Sequence, residues 1–403
     1  MKDLSSLVKI NLRRKRVLVR VDLNIPKCGE QVEDASRIEA MVPTIKRLFQ
    51  KKAKIIILSH LGRPKQGTKN NLSLSSIIPE LSKHLSFAKI IFCKDCIGAS
   101  VSRAIQSSQP NEIVLLENLR FHDGEERNDQ TFARLLSKNG DIYVNDAFSV
   151  SHRQHASVVG ITKHLPAFAG LSLKRELHHL DKILKKPKKP SLGIIGGSKI
   201  STKIGVIKGL TKKLDYLIIG GGMANTFIFN QGIRIGKSLY EKNTEKITSM
   251  INNTAKKNNC EILLPIDFIV TTTITKNGLV KRAHLNNISD QQIIADIGPK
   301  TIEIFAEKIK NSKTILWNGP LGIFEIEPFN KGTYSLAKKV AKLTKENKME
   351  SIAGGGDTIS AIIKAGVAKS FTYTSLAGGA FLEWLEGKEL PGIKALRINK
   401  KMI

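Results

Sequence analysis

Short apolar runs alternate with longer stretches of helical periodicity along the whole chain of 403 residues. Runs of three to five apolar residues indicate buried strands, and apolar positions recurring every three or four residues indicate amphipathic helices. This alternation is typical of strand–helix–strand units, in which helices cover a sheet of parallel strands. The pattern therefore predicts an α/β fold built from doubly wound parallel (Rossmann-like) sheets.

The predicted strands fall into two groups along the chain. Strands of the first half are expected at 17–21, 55–58, 113–116 and 142–144. Strands of the second half are expected at 192–195, 216–219, 262–264, 314–317 and 351–353. Helices are expected, among other places, at 36–50, 130–138, 300–311 and 331–345.

The boundary between the two halves is predicted within a charged helical stretch, residues 174–186. Proline follows at positions 187 and 190, and proline ends a helix because it lacks an amide hydrogen and clashes with the preceding turn. Residues 174–189 are therefore expected to form a connecting helix and hinge between two domains.

The composition excludes several classes of protein. Four cysteines in 403 residues cannot form a dense disulfide framework, and the Cys93-x-x-Cys96 pair lacks the second ligand pair that a zinc site requires. No signal peptide and no apolar run long enough for a membrane span is visible. We expect a cytoplasmic protein in a reducing compartment.

The net charge of +30 raises the question of a nucleic-acid partner. The excess is mostly lysine, with 49 lysines against 16 arginines, it is spread over both halves, and aromatic residues make up only 5% of the chain. Such a pattern is typical of a solvated surface. We expect no specific nucleic acid, although a basic binding protein without enzymatic activity remains an alternative.

Glycines follow three predicted strands of the second half, at Gly196-Gly197, Gly220–Gly222 and Gly354–Gly356. Ligands of parallel sheets bind beyond the carboxyl ends of the strands, where glycine lets the backbone approach a phosphate. Polar residues follow two of these clusters: Lys199, Lys203, Asp357 and Thr358. Asp357 is either an N-cap or a ligand of phosphate-bound magnesium. The pattern predicts a nucleotide site.

Arginine and histidine follow the predicted strands of the first half or lie in adjoining segments. These residues are Arg37, His60, Arg63, Arg120, His122, Arg153 and His155. Because arginine is scarce here and its guanidinium binds phosphate or carboxylate bidentately, the set predicts an anion site. The Walker loop, the protein-kinase catalytic loop and the dinucleotide fingerprint are all missing from the sequence.

The order of these motifs resembles the phosphoglycerate kinase family from end to end. The motifs are Arg20–Pro26 (RVDLNIP), Ser59–Pro64 (SHLGRP), Glu117–His122 (ENLRFH), Asn145–Phe148 (NDAF), Gly196–Lys199 (GGSK) with Lys203, Trp317–Gly322 (WNGPLG) with Glu325, and Gly354–Thr358 (GGGDT). Their residues, order and spacing together make the resemblance specific.

The resemblance implies two domains with a central cleft and hinge bending between them. Residues 1–173 would bind 3-phosphoglycerate, residues 190–376 would bind magnesium nucleotide, and residues 377–403 would return to the first domain. The implied phosphoglycerate ligands are Asp22, Asn24, Arg37, His60, Arg63, Arg120 and Arg153. The implied nucleotide ligands are Lys199, Lys203, Gly221, Glu325, Gly354, Gly355, Gly356, Asp357 and Thr358, with Glu325 toward the ribose and Asp357 toward Mg²⁺.

The implied reaction transfers a phosphoryl group between 1,3-bisphosphoglycerate and ADP, giving 3-phosphoglycerate and ATP. A carboxylate acceptor is already ionised at neutral pH, so such an enzyme needs positioning and charge stabilisation rather than a general base. Arg37, Lys203 and backbone N–H groups near Gly378 and Gly379 are expected to surround the transferred group. The family also implies a monomer. Another small-molecule acyl-phosphate kinase remains an alternative.

One segment departs from the family pattern. Where the family usually has threonine and glycine, this chain has Leu376 and Ala377 before Gly378. A Cβ at a position that approaches phosphate or takes positive φ costs free energy, and leucine lacks the hydroxyl. We therefore expect the Leu376→Thr, Ala377→Gly double variant to raise turnover in steady-state kinetics with nearly unchanged affinity for 3-phosphoglycerate. Unchanged or lower turnover would show that this backbone tolerates the departure.

Overall fold

A computed structural model describes residues 11–28, 31–64, 70–276 and 278–399. The chain forms two compact units, of which the first comprises residues 1–178 and 389–403 and the second comprises residues 179–388. Each unit contains its own parallel sheet of six strands with helices in the connections. The prediction of two doubly wound α/β domains is confirmed.

The strands and helices have the following bounds. The strands are β1 Arg16–Arg20, β2 Lys27–Cys28, β3 Gln31–Val32, β4 Lys54–Leu58, β5 Lys89–Cys93, β6 Glu112–Leu116, β7 Ile142–Asn145, β8 Ala167–Ala169, β9 Ser191–Ile195, β10 Tyr216–Ile219, β11 Glu261–Leu263, β12 Asp267–Thr271, β13 Lys281–His284, β14 Ile293–Ile297, β15 Thr314–Asn318, β16 Glu350–Gly354 and β17 Tyr373–Ser375. The helices are α1 Ser36–Gln50, α2 Ile78–His84, α3 Ala99–Ser107, α4 Asp123–Glu126, α5 Gln130–Ser137, α6 Leu171–Lys185, α7 Ile204–Thr211, α8 Gly221–Phe229, α9 Glu245–Lys257, α10 Pro299–Lys310, α11 Lys331–Lys345, α12 Gly356–Lys364, α13 Gly378–Leu385 and α14 Pro391–Ile398.

The sheet of the first unit has the strand order β5-β6-β4-β1-β7-β8. Its central strand β1 pairs in parallel with β4 and β7, so that Arg20 lies beside Leu58 on one side and Asn145 on the other. The polar segments that follow these strands therefore begin at one edge of the sheet. That edge carries the predicted anion site.

Helices cover both faces of this sheet, which explains the unbroken apolar runs of its strands. Nearly every residue of β1, β4, β6 and β7 is buried. Helix α1 contributes Ile38, Met41, Ile45 and Leu48, which recur at helical spacing, to the same core as alternate residues of β1. Burial of this apolar surface provides the main free energy that holds sheet and helix together.

The sheet of the second unit has the order β11-β10-β9-β15-β16-β17. Its register places Ile195 of β9 beside Ile219 of β10 and Asn318 of β15. The glycines that follow these strands are therefore brought to one edge, as the sequence pattern predicts. Trp317, which is fully buried, belongs to the core beneath that edge.

The second unit also contains an antiparallel sheet of three strands, β13-β12-β14, which the apolar pattern does not predict. Only one residue of β13, Ala283, is buried, so the apolar run that would identify a strand is missing. The sheet shares a small separate core with Ile228 and Ile235. Its strand β14 contains Asp296, whose carboxyl accepts the amide hydrogen of Gly332 at 2.6 Å.

The C-terminal segment divides between the two units at Lys388 and Glu389 rather than at residue 377. Helix α13 stays with the second unit because its Phe381 packs against Gly354, within the distance at which a Cβ on that glycine would collide. The part that belongs to the first unit includes α14. There the amide hydrogen of Gly392 is donated to the Ser151 carbonyl oxygen at 2.8 Å, and the Asn399 side chain bonds two carbonyl groups.

The other division lies at His178 and His179, inside helix α6, which overlaps the predicted connecting helix. Among the described residues, no helix combines the length and the apolar character needed to cross a bilayer.

Buried carboxyl groups give each unit a pH-dependent stability. Burial raises the pKa of Asp146 from 3.8 to about 7, and burial does the same for Asp296. In the unfolded chain the carboxyl of Asp146 loses its proton at about pH 4, whereas in the folded chain it stays protonated up to about pH 7. The folded state is therefore destabilised as the pH rises through that window.

We predict that Asp146→Asn gains stability relative to the unaltered chain between pH 5 and pH 8, since an amide stays neutral. The measurement compares the urea unfolding midpoints of the two proteins at both pH values, so that contributions from all other groups cancel. If the unfolding midpoints of the two proteins differ by the same amount at pH 5 and pH 8, Asp146 ionises in the folded protein as it does in the unfolded chain.

Candidate functional site

The edge of the first sheet brings together the polar segments that follow β1, β4, β6 and β7. Asp22 and Asn24 follow β1, His60 and Arg63 follow β4, Arg120 follows β6, and Arg153 follows β7, while Arg37 reaches the same region from α1. Electrostatic interactions connect His60 with Arg37 and Arg120, and connect Arg120 with Arg63 and Arg153. We call these seven residues the arginine edge.

Asp22 orients Arg37 at this edge. The carboxylate oxygen Oδ2 of Asp22 accepts Nη1 of Arg37 at 2.5 Å and also accepts the hydroxyl of Ser149. The Arg37 side chain keeps 26% of its surface exposed. A guanidinium held by one carboxylate and still partly open retains donors for a second anion.

Asn24 and Arg120 hold the loop that follows β4. Oδ1 of Asn24 accepts the amide hydrogen of Gly62 at 2.8 Å, and Arg120 donates from Nη1 to the Gly62 carbonyl oxygen at 2.5 Å. Gly62 has a φ of 61°, a conformation that favours glycine. Asn118 adds two bonds, to the carbonyl groups of Leu61 and Leu72. Asn24 therefore shapes the edge through the backbone.

Positive charge is concentrated around Arg120. Its pKa is lowered by burial and by the neighbouring Arg153, Arg20 and Arg63, although the carboxylate of Glu126, 3.0 Å from Nε, works in the opposite direction. Burial and these like charges both make further negative charge beside the guanidinium favourable. An anionic ligand would supply that charge. Arg63 is exposed and Arg153 is half-buried, so both are accessible to such a ligand.

His60 is neutral in this site. Burial lowers its pKa well below the usual value, and Arg20, Arg120, Arg37 and His155 lower it further. His155 is buried, with Nδ1 at 3.7 Å from an oxygen of Glu125.

His122 belongs to a separate cluster with Asp95 and Cys96, whose ligand atoms all lie within 4.8 Å of one another. Nε2 of His122 lies 2.7 Å from Oδ1 of Asp95, and the Cys96 thiol donates to the Glu117 carbonyl oxygen at 3.0 Å. Burial and nearby carboxylates raise the pKa of this thiol well above its usual value. All three groups already have protein partners, so we assign no metal ion to the cluster.

The edge of the second sheet is formed by glycine backbone. Gly197, Gly221 and Gly355 have φ values of 125°, 64° and 98°, which side chains rarely adopt. A Cβ at Gly221 would lie 3.0 Å from the Gly197 carbonyl oxygen, whereas one at Gly356 would meet nothing within 4 Å. Gly356 begins α12, and the N-terminus of a helix favours anions.

Lys203 is directed into this edge. Its Nζ donates to the carbonyl oxygen of Gly196 at 2.8 Å and to Oδ1 of Asn318 at 2.7 Å, while Asn318 in turn donates to the Gly354 carbonyl oxygen. Burial lowers the pKa of Lys203 to about 8, and Asp357 only partly offsets that effect. The ammonium is held by uncharged oxygens, and among the described residues it forms no ion pair with a carboxylate.

A pocket of about 520 Å³ lies against these glycines. One wall is apolar and includes Leu321, Ile294 and Ala295, and the polar lining includes Ser198, Glu325 and Asp357. Glu325 and Asp357 are both exposed. An apolar wall beside a glycine edge suits a flat aromatic base with a phosphate chain.

The remaining nucleotide candidates differ in position. Lys199 is exposed, and its charge lowers the pKa of Glu241, whose carboxylate accepts the amide hydrogen of Ser201. Thr358 is buried, and its hydroxyl accepts the amide hydrogen of Gly319 at 2.6 Å. Thr358 therefore holds the turn after β15.

Asp357 is suited to a hard cation. Its carboxylate lies in the first turn of α12, and its oxygens accept no hydrogen bond from any residue that the structure describes. Carboxylate oxygen is the donor that Mg²⁺ prefers, usually together with phosphate oxygens.

The glycines at the start of α13 show where the family departure falls. Gly378 has a φ of 43°, but the preceding Ala377 has a φ of −92°, which any residue adopts. The strain expected from a Cβ at Ala377 is therefore missing, and glycine there would relieve none. Leu376 is partly buried against the second unit's core, so threonine there would also lose packing. The expected gain in turnover then depends only on the missing hydroxyl.

Four residues that support the edges are not among the candidates predicted from the sequence: Arg20, Glu125 and Ser157 at the first edge and Asn318 at the second. Arg20 and Asn318 lie in the RVDLNIP and WNGPLG motifs and are the last residues of β1 and β15. Their position at the ends of strands therefore indicates a role at the edge. Glu125 and Ser157 are fully buried far apart in sequence from the strands that they support. Only the folded chain brings them to the arginine edge.

Comparison with known proteins finds members of one family that match nearly the whole chain. A family model described as phosphoglycerate kinase matches residues 7–388. The phosphoglycerate kinase of Agrobacterium fabrum is 48% identical over 386 residues, which cover 96% of each chain. That of Allorhizobium ampelinum is 49% identical over 382 residues, which cover 95% of each chain.

Solved structures agree. The phosphoglycerate kinase from Coxiella burnetii is similar with a TM-score of 0.87 at 38% identity, over 98% of this chain and 99% of that chain. The enzyme from Pyrococcus horikoshii is similar with a TM-score of 0.81 at 29% identity, over 99% of both chains. The similarity extends over both units.

Proposed function

Because this chain belongs to the phosphoglycerate kinase family, whose members transfer a phosphoryl group between 1,3-bisphosphoglycerate and ADP, we propose that its two sheet edges divide the substrates between them. The arginine edge binds 3-phosphoglycerate or the bisphosphate, and the glycine edge binds ADP or ATP. The observation that carries this division is that arginines gather at the edge of the first sheet, whereas Lys203 and glycine backbone form the edge of the second.

On the first unit, 3-phosphoglycerate presents a phosphate and a carboxylate, and the edge offers several cations for these two groups. Arg63, Arg120 and Arg153 bind the substrate's anionic groups, and His60 adds a neutral donor. Asp22 and Asn24 contribute mainly by orienting Arg37 and the loop at Gly62. Arg37 faces the group that is transferred.

On the second unit, the base lies in the pocket of about 520 Å³ with Glu325 toward the ribose. The phosphates follow the glycine edge, including Gly221 and Gly354 to Gly356, and Lys199 adds positive charge nearby. Asp357 holds Mg²⁺, which supplies neutralisation of the nucleotide phosphates when bound.

The chemistry needs no nucleophilic side chain, because the acceptor is an ionised carboxylate or a nucleotide phosphate oxygen. On the second unit, Lys203 and the amide groups at Gly378 and Gly379 offer positive charge to the transferred phosphoryl group, and Arg37 does the same on the first unit. Lys203 is positioned for this by its bonds to Gly196 and Asn318, which restrict its ammonium group before a nucleotide binds.

A coupled assay tests the proposal against the nearest alternative. Magnesium ATP with 3-phosphoglycerate should give saturable ADP formation, whereas acetate at the same concentration should give none. Turnover with acetate but not 3-phosphoglycerate would identify a different acyl-phosphate kinase.

We predict that Arg63→Ala, Arg120→Ala and Arg153→Ala each raise the KM for 3-phosphoglycerate about 10- to 150-fold, the equivalent of one charge-assisted pair, and affect the KM for ATP far less. Arg103, an exposed arginine of α3, provides the control, and Arg103→Ala should change neither constant. Equal weakening of both substrates would contradict the assignment of one substrate to each unit.

We also predict that Lys203→Ala lowers kcat by about 100-fold or more, with smaller changes in either KM, since its charge acts on the transferred group in the transition state. Steady-state kinetics with both substrates measure this effect. Lys212→Ala is the matched control, because exposed Lys212 directly follows α7 whereas Lys203 directly precedes it. A Lys203→Ala variant that keeps more than half of its turnover would exclude the role.

A further inference from the structure

A chain of buried polar groups runs beneath the arginine edge, from Glu125 through Ser157 and Arg20 to His60. Ser157 contacts Glu125 twice, the Arg20 guanidinium contacts Ser157 at 3.0 Å, and Arg20 contacts His60 at 3.0 Å. Glu125 and Ser157 have no exposed surface, Arg20 has 1% and His60 has 4%. Buried polar groups of this kind must be matched donor to acceptor, so the direction of each bond follows from chemistry.

The first link runs from Ser157 to a charged carboxylate. The Ser157 amide hydrogen is donated to Oε2 of Glu125 at 2.9 Å, and the Ser157 hydroxyl is donated to Oε1 at 2.5 Å. Burial opposes ionisation of Glu125, but hydrogen bonds from His155 and Ser157 and the charge of Arg20 lower its pKa. Because the hydroxyl hydrogen points to Glu125, the hydroxyl oxygen is left to accept Nε of Arg20.

The second link determines the protonation of His60. Every nitrogen of a guanidinium is a donor, so Nη2 of Arg20 donates to Nδ1 of His60, which must carry a lone pair there. The ring proton is consequently on Nε2. Nε2 of His60 forms no hydrogen bond with any described residue. It is also not among the buried, unpaired polar atoms, so a ligand can reach it.

We propose that Glu125 is a positioning residue that, through Ser157 and Arg20, holds His60 as the neutral tautomer with its hydrogen on Nε2, ready to donate to an oxygen of phosphoglycerate. This inference rests on the proposed function, because it takes the arginine edge as the phosphoglycerate site. The opposite tautomer would present a lone pair to an anionic oxygen and repel it.

The arrangement also explains why a full negative charge is buried below a site for anions. Glu125 lies at the far end of the chain from His60, so its charge balances Arg20 without lying against the substrate. Its Oε1 is also 3.7 Å from Nδ1 of His155. Without this carboxylate the buried guanidinium would lose its charge balance, and the Ser157 hydroxyl would no longer be held with its oxygen toward Nε of Arg20.

Nitrogen NMR of the full chain labelled with ¹⁵N-histidine tests the tautomer directly in the free protein. One of the nine histidines should show an unprotonated Nδ1 and a protonated Nε2 at pH 7, and this signal pair should be missing from His60→Gln. A protonated Nδ1 at His60, in either the other tautomer or the imidazolium, would overturn the proposal.

Two variants test the positioning role. Glu125→Gln, which removes the charge with little change in shape, and Ser157→Ala, which removes the bridging hydroxyl, should each mix the His60 tautomers. Each should raise the KM for 3-phosphoglycerate by about tenfold with little effect on the KM for ATP. Ser351→Ala removes a buried hydroxyl from β16 of the second unit and is the matched control. An unchanged His60 spectrum with an unchanged KM in both variants would overturn the role.

Two replacements of His60 itself distinguish a hydrogen-bond donor at the position of Nε2 from a general loss of structure at the site. Glutamine places an amide hydrogen near the position of Nε2, and asparagine places one near that of Nδ1. The KM for 3-phosphoglycerate should therefore be lower in His60→Gln than in His60→Asn. The reverse order would contradict donation from Nε2 even if the Glu125 variants did not fold.

Failure of this inference is distinguishable from failure of the proposed function. The arginine variants measure the phosphoglycerate site without reference to His60, and the NMR experiment needs no substrate. If the arginine variants weaken 3-phosphoglycerate while the His60 tautomer is the opposite one, only the positioning role fails. If the tautomer is as expected but no arginine variant affects 3-phosphoglycerate, the proposed site fails and the substrate-related part of this inference fails with it.

Discussion

The parallel pairing of strands is the constraint on which both sites depend. In each unit the six strands of the main sheet point the same way, so every strand ends at one edge. Residues far apart in the chain, such as Asp22 and Arg153, are thereby brought to the same edge of the sheet. The register of the strands fixes the residue at which each strand ends there. Because both faces of each sheet are buried beneath helices, the edge is where such a sheet can present polar groups to a ligand.

The two edges differ in the chemical groups that form them. The first is built from arginine side chains, some of them paired with carboxylates, and positive groups still outnumber negative ones at that edge. The second is built from backbone, with three glycines in the left-handed region and one half-buried lysine held by carbonyl and amide oxygens. Side-chain cations suit a small acid with two anionic groups, whereas amide groups suit a phosphate chain that lies along the edge.

Much of the protein was predictable from the sequence alone because buried strands and helices have local patterns. Helices 36–50 and 331–345 were predicted with the bounds of α1 and α11, and the central strands within a residue or so at either end. Each depends on consecutive apolar residues or on helical spacing, which are properties of a short window. The ordered motifs at strand ends were equally readable, since parallel pairing makes the end of a buried strand a candidate site. The family and its reaction followed from them.

Other features were decided by the tertiary structure. The exposed strand β13 carries no apolar run, and the apolar runs of β5, β12 and β14 do not by themselves show which strands they pair with. The conformation of Ala377 depends on packing around it, and its negative φ removes a strain that the motif alone indicated. Asn24 and Thr358 hold backbone, and the charge and burial of Glu125 beneath His60 depend on contacts across many residues. Apolar periodicity is a local property of the chain, whereas the partner of a buried polar group is chosen by the whole fold, and for that reason only the structure could supply it.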